Sequence, residues 1–271
     1  MTAGPNRTPA IPRADDVVPA LARGGPALVA LSGGVDSAVV AWLARRALGR
    51  DSIAVTLAGP SVARAEIRSA VAVAREIDIR HRVVTVDPLQ TPEYRANPAN
   101  RCYFCRSAEA RVFLSLGAQF GVRQFLDGVH VDDLGDDRPG LRAMNEAGFC
   151  HPLLDAGWTK SDVRAFAHSI ALTVADRPSN ACLASRVRQG VPLTASLLAL
   201  VEAAEDVVAS YGFRRVRVRV DGKRARVVVG ADEARGLCSE PVASQVRARL
   251  GALGLNPVDL DPVGYTPRAG M

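Results

Sequence analysis

Six residues near the start of the chain have the types and spacing of a phosphate-binding turn: S-G-G-V-D-S at 32–37, directly after an apolar run at 27–31. The two adjacent glycines reach backbone angles closed to other residues, so consecutive amide N–H groups can face one anion at the start of the following helix. The two serines add hydroxyl donors, and the aspartate can hold Mg²⁺ against phosphates. We therefore predict a phosphate site formed by Ser32, Gly33, Gly34, Asp36 and Ser37.

This pattern differs from the Walker A loop, which requires G-x-x-x-x-G-K-[ST]. The first lysine of the chain is Lys160, so we expect the phosphate charge to be met by backbone amides, a metal ion or arginines. The pattern instead resembles the PP-loop of the ATP pyrophosphatases, enzymes that cut ATP between the α and β phosphates and leave AMP on an acceptor. The resemblance implies ATP and Mg²⁺ as ligands, while an ordinary glycine turn remains the alternative.

Cysteines form a second group of chemically capable residues. Cys102 and Cys105 make a C-x-x-C where a helix is predicted to begin, and Cys182 lies in a polar segment without periodicity. At a helix start both sulfurs of the pair lie on one face, and we expect the helix end to lower their pKa. Cys150 and Cys238 lie in mostly apolar sequence and are predicted to be packing residues. Five cysteines without a secretory signal do not indicate a disulfide framework.

A C-x-x-C is compatible with a redox pair, half of a zinc site, two ligands of an iron–sulfur cluster, or two thiols without a function. The Tyr-Phe dipeptide between the cysteines and the ATP loop on the preceding sheet disfavour a thioredoxin-like pair. Zinc needs a fourth ligand, and no second C-x-x-C or paired histidine supplies one. Three cysteines suit a four-iron four-sulfur cluster with one open iron, which makes Cys102, Cys105 and Cys182 the candidate metal ligands.

The elements that must position these residues alternate between strand and helix. We predict strands at 27–31, 53–57, 82–86 and 124–127, and helices at 36–48, 62–77 and 102–116. Such alternation is typical of an α/β fold, a parallel sheet with helices on both faces that binds ligands at the carboxyl ends of its strands. The glycine loop follows one of those ends. The acidic loop 127–140 lacks the EF-hand spacing, so we expect it to border the active site rather than bind calcium.

The pattern changes after residue 186. We predict a helix at 193–209, two alternating strands at 213–220 and 224–229 joined by the Asp221-Gly222 hairpin signature, and a last helix at 241–250. These elements indicate a smaller α+β domain. The predicted organisation is therefore a disordered leader at 1–16, a PP-loop domain at 17–188 and a small substrate or oligomerisation domain at 189–271.

Composition restricts the class of protein. The chain has 271 residues, of which 48% are hydrophobic and 23% charged, and no apolar run approaches the roughly 18 to 20 residues of a membrane span. The Pro-, Ala- and Arg-rich start lacks the core of a signal peptide, which predicts a cytoplasmic protein without a membrane partner. Net charge is +6, yet the 32 arginines among 34 basic residues are spread along the chain. We therefore do not expect a nucleic-acid partner.

Four motifs together resemble the LarE family, a branch of the PP-loop ATP pyrophosphatases. They are S-G-G-V-D-S at 32–37, R-C-Y-F-C at 101–105, D-G-V-H-V-D-D-L-G-D-D-R-P-G at 127–140 and A-C-L-A-S-R at 181–186. Members of that family are ATP-dependent sacrificial sulfur transferases that make the thiocarboxylates of the nickel-pincer nucleotide cofactor. The likeness extends over about 27–229, with the motifs in order and at plausible separations.

The resemblance implies a reaction. A carboxylate of a pyridinium biscarboxylic acid mononucleotide attacks the α-phosphate of ATP and gives an acyl-adenylate, and a sulfur nucleophile then displaces AMP. The residue matching Cys182 can be that nucleophile, in which case cleavage of its Cβ–S bond leaves dehydroalanine. Members that also carry C-x-x-C bind a four-iron cluster through three cysteines. Because this chain has all three, the catalytic version with a cluster-bound sulfide is favoured over self-sacrifice of Cys182.

Further residues take roles from the same resemblance. The resemblance implies that Arg217 and Arg219 bind the substrate phosphate, although their strand pattern alone fits a solvated sheet face. Glu205 becomes a proton acceptor during Cβ–S cleavage, and a plain surface-helix glutamate is its alternative. Ser185 and Arg186 would orient the adenylate or steady Cys182. The partners implied are a small-molecule nucleotide substrate, further copies of the chain in a homo-oligomer, and a sulfur donor or a downstream nickel-inserting protein.

Three rival interpretations remain at this point. A cluster-dependent tRNA thiolation enzyme combines the same loop and cysteines, but it normally carries an RNA-binding region. An amide-forming PP-loop synthetase would not need the cysteines. A nucleotide-responsive or metal-storage binding protein would lack turnover altogether.

Overall fold

A computed structural model of the protein describes residues 14–135 and 138–265. Most of the predicted leader at 1–16 therefore lies outside the described residues. The prediction is wrong for its last three residues, because Ala14–Asp16 form a 3₁₀ turn. Val17 directly after that turn is 2% exposed and packs into the core, which anchors the turn against the first helix.

The first part of the described chain is a four-stranded parallel sheet in the order β3-β2-β1-β4. Its strands are β1 Ala27–Ala30, β2 Ser52–Ala58, β3 Arg80–Thr85 and β4 Gln124–Leu126. Its helices are α1 Val18–Gly24, α2 Val35–Leu48, α3 Arg64–Glu76, α4 Pro92–Arg95, α5 Arg101–Phe120, α6 Pro139–Glu146, α7 Pro152–Asp155 and α8 Lys160–Ser169. The predicted strands and helices are all present, with ends displaced by up to four residues.

Both faces of this sheet are buried by helices. Along β1, Ala27 and Val29 join a core cluster with α2 and α8, while Leu28 joins a second cluster with α5. This alternation follows from the pleat, which points successive side chains to opposite faces. The predicted α/β fold class, a PP-loop-like parallel sheet with helices on both faces, is thereby confirmed.

Helix α5 is longer than predicted at its C-terminal end. It passes through Gly117, where an added Cβ would lie 2.6 Å from the Phe125 ring, so this glycine permits close packing of the helix on β4. The helix stops at Gly121, which adopts φ 67° and closes the C-terminus. Within 14–135 and 138–265, no helix combines the length and apolarity needed to cross a membrane.

The C-terminal elements are α9 Ala195–Ala209, β5 Arg217–Asp221, β6 Arg224–Val228, α10 Ala234–Leu237, α11 Val242–Ala252 and β7 Val258–Leu260. They enclose a mixed sheet in which β6 pairs antiparallel with β5 and parallel with β7. The smaller α+β unit is therefore present. Sequence patterning missed β7, a three-residue strand directly after Pro257.

The predicted strand 213–220 is wrong at its start, because β5 begins at Arg217. The backbone N–H groups of Arg214 and Arg215 instead donate to the Glu233 carboxylate, at 2.8 and 3.3 Å. A side chain thus replaces the neighbouring strand as hydrogen-bond partner. Arg217 and Arg219 do share the outer face of β5 as predicted, and Val218 and Val220 are buried on the other.

A third core cluster joins the C-terminal elements to residues that precede the predicted boundary at 188. Leu89, Tyr94 and Leu183 pack with apolar side chains of α9 and the second sheet. Leu183 is additionally fixed by its N–H, which donates to the Ser61 carbonyl at 2.9 Å. The division into domains at 17–188 and 189–271 stays a prediction.

Candidate active site

The glycine loop lies at the carboxyl end of β1 and leads into α2, as the sequence predicts. Its two serines hold each other: the Ser37 hydroxyl lies 3.0 Å from the Ser32 hydroxyl, accepts from the Ser32 N–H and donates to the Gly34 carbonyl. Gly34 is the residue before the first turn of α2. The free amides of this turn and the positive end of the helix form a surface suited to phosphate.

Two glycines let neighbouring backbone approach the loop closely. Gly33 adopts φ 85°, and an added Cβ would lie 2.6 Å from the Glu66 carbonyl oxygen of α3. Gly128, directly after β4, would place a Cβ 2.8 Å from the Ser37 amide nitrogen. Side chains at either position would therefore displace the loop from α3 or from the acidic loop 127–140.

A lysine reaches the loop from a distant part of the chain. The Lys160 ammonium at the start of α8 lies 2.6 and 2.7 Å from the two carboxylate oxygens of Asp36. The His130 imidazole lies 3.7 Å from the same carboxylate. The Lys160 ammonium therefore lies at the glycine loop, paired with Asp36, although no sequence spacing predicted a lysine there. How the phosphate charge is met stays a prediction.

Lys160 is only 7% exposed, so its charge lies in a partly desolvated site where electrostatic interactions strengthen. Its backbone N–H donates to the Asp132 carboxylate at 2.7 Å, which fixes the start of α8 against the acidic loop. The one sequence signal for this residue is compositional. It is one of two lysines among 34 basic residues, in a chain that otherwise uses arginine.

The acidic loop borders the glycine loop, as expected, and its carboxylates are mostly committed to internal contacts. Asp133 accepts from the His130 N–H at 3.0 Å and from the Arg138 guanidinium at 2.6 Å. Asp127 accepts from the buried His151 ring at 2.6 Å. Burial works against the charged His151 ring, but the Asp127 carboxylate raises its pKa above the usual range. Asp136 and Asp137 lie outside the described residues.

Of the three candidate ligand cysteines, Cys182 is near enough to Cys102 and Cys105 to influence the pKa of both. Cys102 and Cys105 lie in the first turns of α5, and Cys182 immediately precedes a 3₁₀ turn at Leu183–Arg186. Desolvation raises the pKa of Cys102, and the neighbouring Cys182 raises it further. Desolvation, the Glu109 carboxylate and Cys182 likewise raise the pKa of Cys105. The expected lowering of these two pKa values at the helix end is wrong, because burial and negative neighbours outweigh the helix.

The chemistry of this group fits a cluster ligated by thiolates. The Arg106 guanidinium acts to lower the pKa of both Cys102 and Cys105. A cation therefore lies beside thiols that become anionic when they bind a metal. In the part of the chain that the structure describes, no three His, Cys, Asp or Glu side chains are grouped tightly enough to hold a single metal ion. The predicted packing role of Cys150 and Cys238 is wrong, since both are exposed.

Arg186 holds the segment that carries Cys182. We call residues 177–186 the Cys182 segment. The Arg186 guanidinium is 1% exposed and donates to the carbonyls of Ala181 and Cys182 at 2.8 and 3.3 Å. It also donates to the Ser185 hydroxyl at 2.8 Å. Arg186 is thus placed to steady the backbone around Cys182, and its two predicted roles stay predictions.

Glu205 is the acidic partner of this arginine. Its carboxylate accepts from Arg186 Nε at 2.7 Å and from the Val218 N–H of β5 at 3.0 Å. Its side chain is 12% exposed. A carboxylate engaged in this way ties the Cys182 segment to the second sheet, and the predicted role as proton acceptor stays a prediction.

Removing Arg186 is expected to destabilise the fold. Arg186→Ala leaves the largely buried Glu205 carboxylate unpaired, so we expect the free energy of unfolding to fall by about 3–5 kcal/mol. Urea denaturation measures this change. Arg224→Ala is the control, because its side chain is 64% exposed beside the half-exposed Asp259 and its loss should cost no more than about 1 kcal/mol. Equal losses in the two variants would contradict the anchoring role of Arg186.

A cavity of about 220 Å³ lies between α3, the Cys182 segment and the second sheet. Arg217 lines it and stacks on Tyr265, with its guanidinium carbon 3.9 Å from the ring centroid. Arg214 and Arg215 lie in the same wall, whereas Arg219 is exposed and is not among the described lining residues. The structure therefore brings Arg217 to a cavity and leaves Arg219 outside it.

Known proteins resemble this chain over most of its length. An uncharacterised protein of Synechocystis sp. is 35% identical over 239 residues, 88% of this chain and 89% of that protein. The pyridinium-3,5-bisthiocarboxylic acid mononucleotide synthase of Lactiplantibacillus plantarum is 33% identical over 238 residues, 88% of this chain and 86% of that protein.

A shorter likeness covers the glycine loop and its surroundings. The NAD synthase family profile matches residues 22–100. The NH(3)-dependent NAD(+) synthetase of Pyrococcus furiosus is 39% identical over 62 residues, which is 23% of this chain and 24% of that protein.

Proposed function

The chain belongs to the LarE family of PP-loop enzymes, and from this premise we propose that it transfers sulfur to a carboxylate of a pyridinium biscarboxylic acid mononucleotide. The resemblance drawn from the four motifs is confirmed by this membership. The observation that supports the reaction is the contact of Lys160 with Asp36 in the glycine loop, which we call the phosphate loop from here on. The same structure places Cys102 and Cys105 in the first turns of α5 and Cys182 directly before a 3₁₀ turn. The product would be a thiocarboxylate of the nickel-pincer nucleotide cofactor.

The phosphate loop would carry the first half of the reaction. Amides of residues 33–37 bind the phosphates of ATP, and the substrate carboxylate attacks the α-phosphate to give an acyl-adenylate and pyrophosphate. Lys160 then offers its ammonium to the departing pyrophosphate, where negative charge increases. Mg²⁺ would accompany ATP, and Asp36 becomes its ligand when the phosphates draw Lys160 away.

The cysteines would carry the second half. A sulfur nucleophile attacks the adenylated carbonyl carbon and AMP leaves with the bonding electron pair. A four-iron cluster held by Cys102, Cys105 and Cys182 supplies, when bound, an open iron at which a sulfide can be delivered and replaced. Without that group, Cys182 itself is the nucleophile and forms a thioester. A base, for which Glu205 is the candidate, would then take the Cα proton as the Cβ–S bond breaks, which releases the thiocarboxylate and leaves dehydroalanine at position 182. Arg186 holds the backbone of Cys182 in place in either case.

The substrate would enter the cavity beside the Cys182 segment. Arg217 lies there with its planar guanidinium, which suits a phosphate group. Tyr265 stacks against it and fixes its orientation. Arg219 is exposed on the same strand face, so we assign the substrate phosphate to Arg217 first.

The NAD synthase match supports the nucleotide half of this proposal and leaves the acceptor open, because it stops at residue 100, before the first cysteine. An amide-forming synthetase therefore remains the second candidate. The two reactions differ in the nucleophile. Sulfur transfer needs Cys182, whereas amide formation proceeds without it.

The proposed function is tested with purified protein, ATP, Mg²⁺ and pyridinium-3,5-biscarboxylic acid mononucleotide under anaerobic conditions. We expect pyrophosphate release that depends on the mononucleotide, and a thiocarboxylate product detected by mass spectrometry. Pyrophosphate release that requires ammonia instead would contradict the proposal and favour the synthetase. Retention of tRNA at physiological salt would favour the thiolation enzyme.

The source of sulfur is tested by spectroscopy and by mass. We expect anaerobically prepared protein to absorb in the visible range and to contain iron and sulfide, and Cys105→Ala to lose both because one of three thiolate ligands is gone. An iron-free wild type would return the sulfur source to Cys182. Loss of the elements of hydrogen sulfide from Cys182 after turnover would also exclude the cluster as donor.

A further inference from the structure

A chain of polar contacts connects the phosphate loop to the Cys182 segment. Arg177, at the start of that segment, donates to the Gly33 carbonyl at 2.7 Å. The same guanidinium forms a bidentate ion pair with the Glu66 carboxylate of α3, and both N···O distances are 2.8 Å. Neither side chain is more than about a quarter exposed, so the pair is less screened by water than a surface pair.

Asn180 continues this chain toward Cys182. Its amide nitrogen donates to Glu66 at 3.2 Å, and its amide oxygen accepts from Arg186 at 2.7 Å. Arg186 in turn holds the Ala181 and Cys182 carbonyls, as described above. One asparagine side chain therefore bridges the ion pair at the phosphate loop and the buried arginine under Cys182.

Binding of phosphate acts on the first member of the chain. The Gly33 carbonyl and the Gly34 N–H belong to one planar peptide group, so they rotate together. The Gly34 N–H donates to the Ser32 hydroxyl at 3.4 Å, a long and weak contact. A phosphate that takes this N–H would set the orientation of the whole peptide, including the carbonyl that Arg177 contacts.

We propose that Glu66 and Asn180 are positioning residues that transmit nucleotide binding at the phosphate loop to the backbone of Cys182. ATP fixes the orientation of the Gly33–Gly34 peptide, and the Arg177–Glu66 ion pair moves with the Gly33 carbonyl. Asn180 passes this change to Arg186, which holds the Cys182 segment. The backbone around the thiol is thereby held more firmly when a phosphate donor is in place. This inference rests on the proposed ATP site.

The test is hydrogen–deuterium exchange of peptides covering residues 177–186, with and without the Mg²⁺ complex of an ATP analogue that carries methylene between the α and β phosphorus atoms. The analogue cannot be cleaved at the bond that the proposed reaction breaks. In wild type we expect it to slow exchange in these peptides by about threefold or more. In Asn180→Ala, which keeps both ion pairs, we expect slowing of less than about 1.5-fold.

Thr173→Ala is the matched control. Thr173 also contacts α3, through its hydroxyl and Glu76 at 2.6 Å, but it lies outside the chain of contacts and should respond as wild type does. Asn180→Asp keeps the acceptor for Arg186 and loses the donor to Glu66, so it should respond like Asn180→Ala. A change in basal exchange alone would indicate only a structural role, since the proposal concerns the part that depends on nucleotide.

Calorimetry on the same samples separates the two hypotheses. If the analogue binds wild type and Asn180→Ala with dissociation constants within about twofold, only coupling has changed. The inference fails and the ATP site stands if the analogue slows exchange in Asn180→Ala as much as in wild type. The same holds if wild type binds the analogue and its exchange does not slow. If wild type does not bind the analogue, the ATP site fails and the inference fails with it.

Discussion

Cys182→Ala is expected to abolish sulfur transfer while leaving adenylation intact. The thiocarboxylate product should fall by about 10³-fold or more, because either version of the reaction requires this sulfur, as ligand or as nucleophile. Adenylation precedes attack by sulfur, so the variant should still release pyrophosphate in one burst at a rate within about twofold of wild type. Quenched-flow measurement of pyrophosphate and mass spectrometry of the product check both parts.

Cys238→Ala is the control for this variant. Cys238 is also exposed, but it lies in the C-terminal elements and is separate from the phosphate loop and the other two candidate ligands. Both its burst and its product yield should equal those of wild type. Thiocarboxylate formation by Cys182→Ala at more than about a tenth of the wild-type rate would contradict a sulfur-transfer role for this residue and place the sulfur donor elsewhere.

The parts of the fold that depend on local pattern could be predicted from the sequence. The apolar run that becomes β1, the glycine turn and helix α2 are continuous in the chain, and each has its own periodicity or turn chemistry. The outer placement of Arg217 on β5 follows in the same way from alternation. Strand β7 is three residues long and pairs with a distant strand, so local patterning gave no signal for it.

The site itself depends on contacts that sequence spacing does not reveal. Lys160 and Asp36 are 124 residues apart, and Arg177 and Gly33 are 144 apart. The start of β5 was misplaced for a similar reason, since the glutamate directly before α10 accepts hydrogen bonds from the amides of Arg214 and Arg215. The pKa values of Cys102 and Cys105 went the opposite way to the prediction because burial, a property of the tertiary structure, dominates them.

Three cations of the site are each paired with a carboxylate. Asp36 holds Lys160, Glu66 holds Arg177 and Glu205 holds Arg186, so each of these arginines and the lysine has a carboxylate partner. An incoming polyphosphate competes with Asp36 for the first of these cations. Lys160 is therefore the residue whose partner is expected to change during the reaction, while Arg186 keeps Glu205 and remains an anchor.

Lys160→Ala is expected to slow pyrophosphate release by about 10²–10³-fold, the range seen when one preorganised group that stabilises developing charge is removed. Single-turnover measurement of pyrophosphate isolates this step from sulfur transfer. The fold should tolerate the change better than Arg186→Ala, because the Asp36 side chain that loses its partner is 26% exposed and can be hydrated. Lys223→Ala, which removes the other lysine from an exposed hairpin turn, should leave the rate unchanged.

Asp36→Asn and the double variant Lys160→Ala, Asp36→Asn then distinguish two roles for the aspartate. If Asp36 only holds Lys160 until ATP arrives, the double variant should be no slower than Lys160→Ala, since the two side chains act as a unit. If Asp36 becomes a ligand of Mg²⁺, the double variant should be slower by a further factor that shrinks as the Mg²⁺ concentration rises. If Lys160→Ala releases pyrophosphate as fast as wild type, the stabilising charge comes from another residue. The arginines of the cavity would be the next candidates.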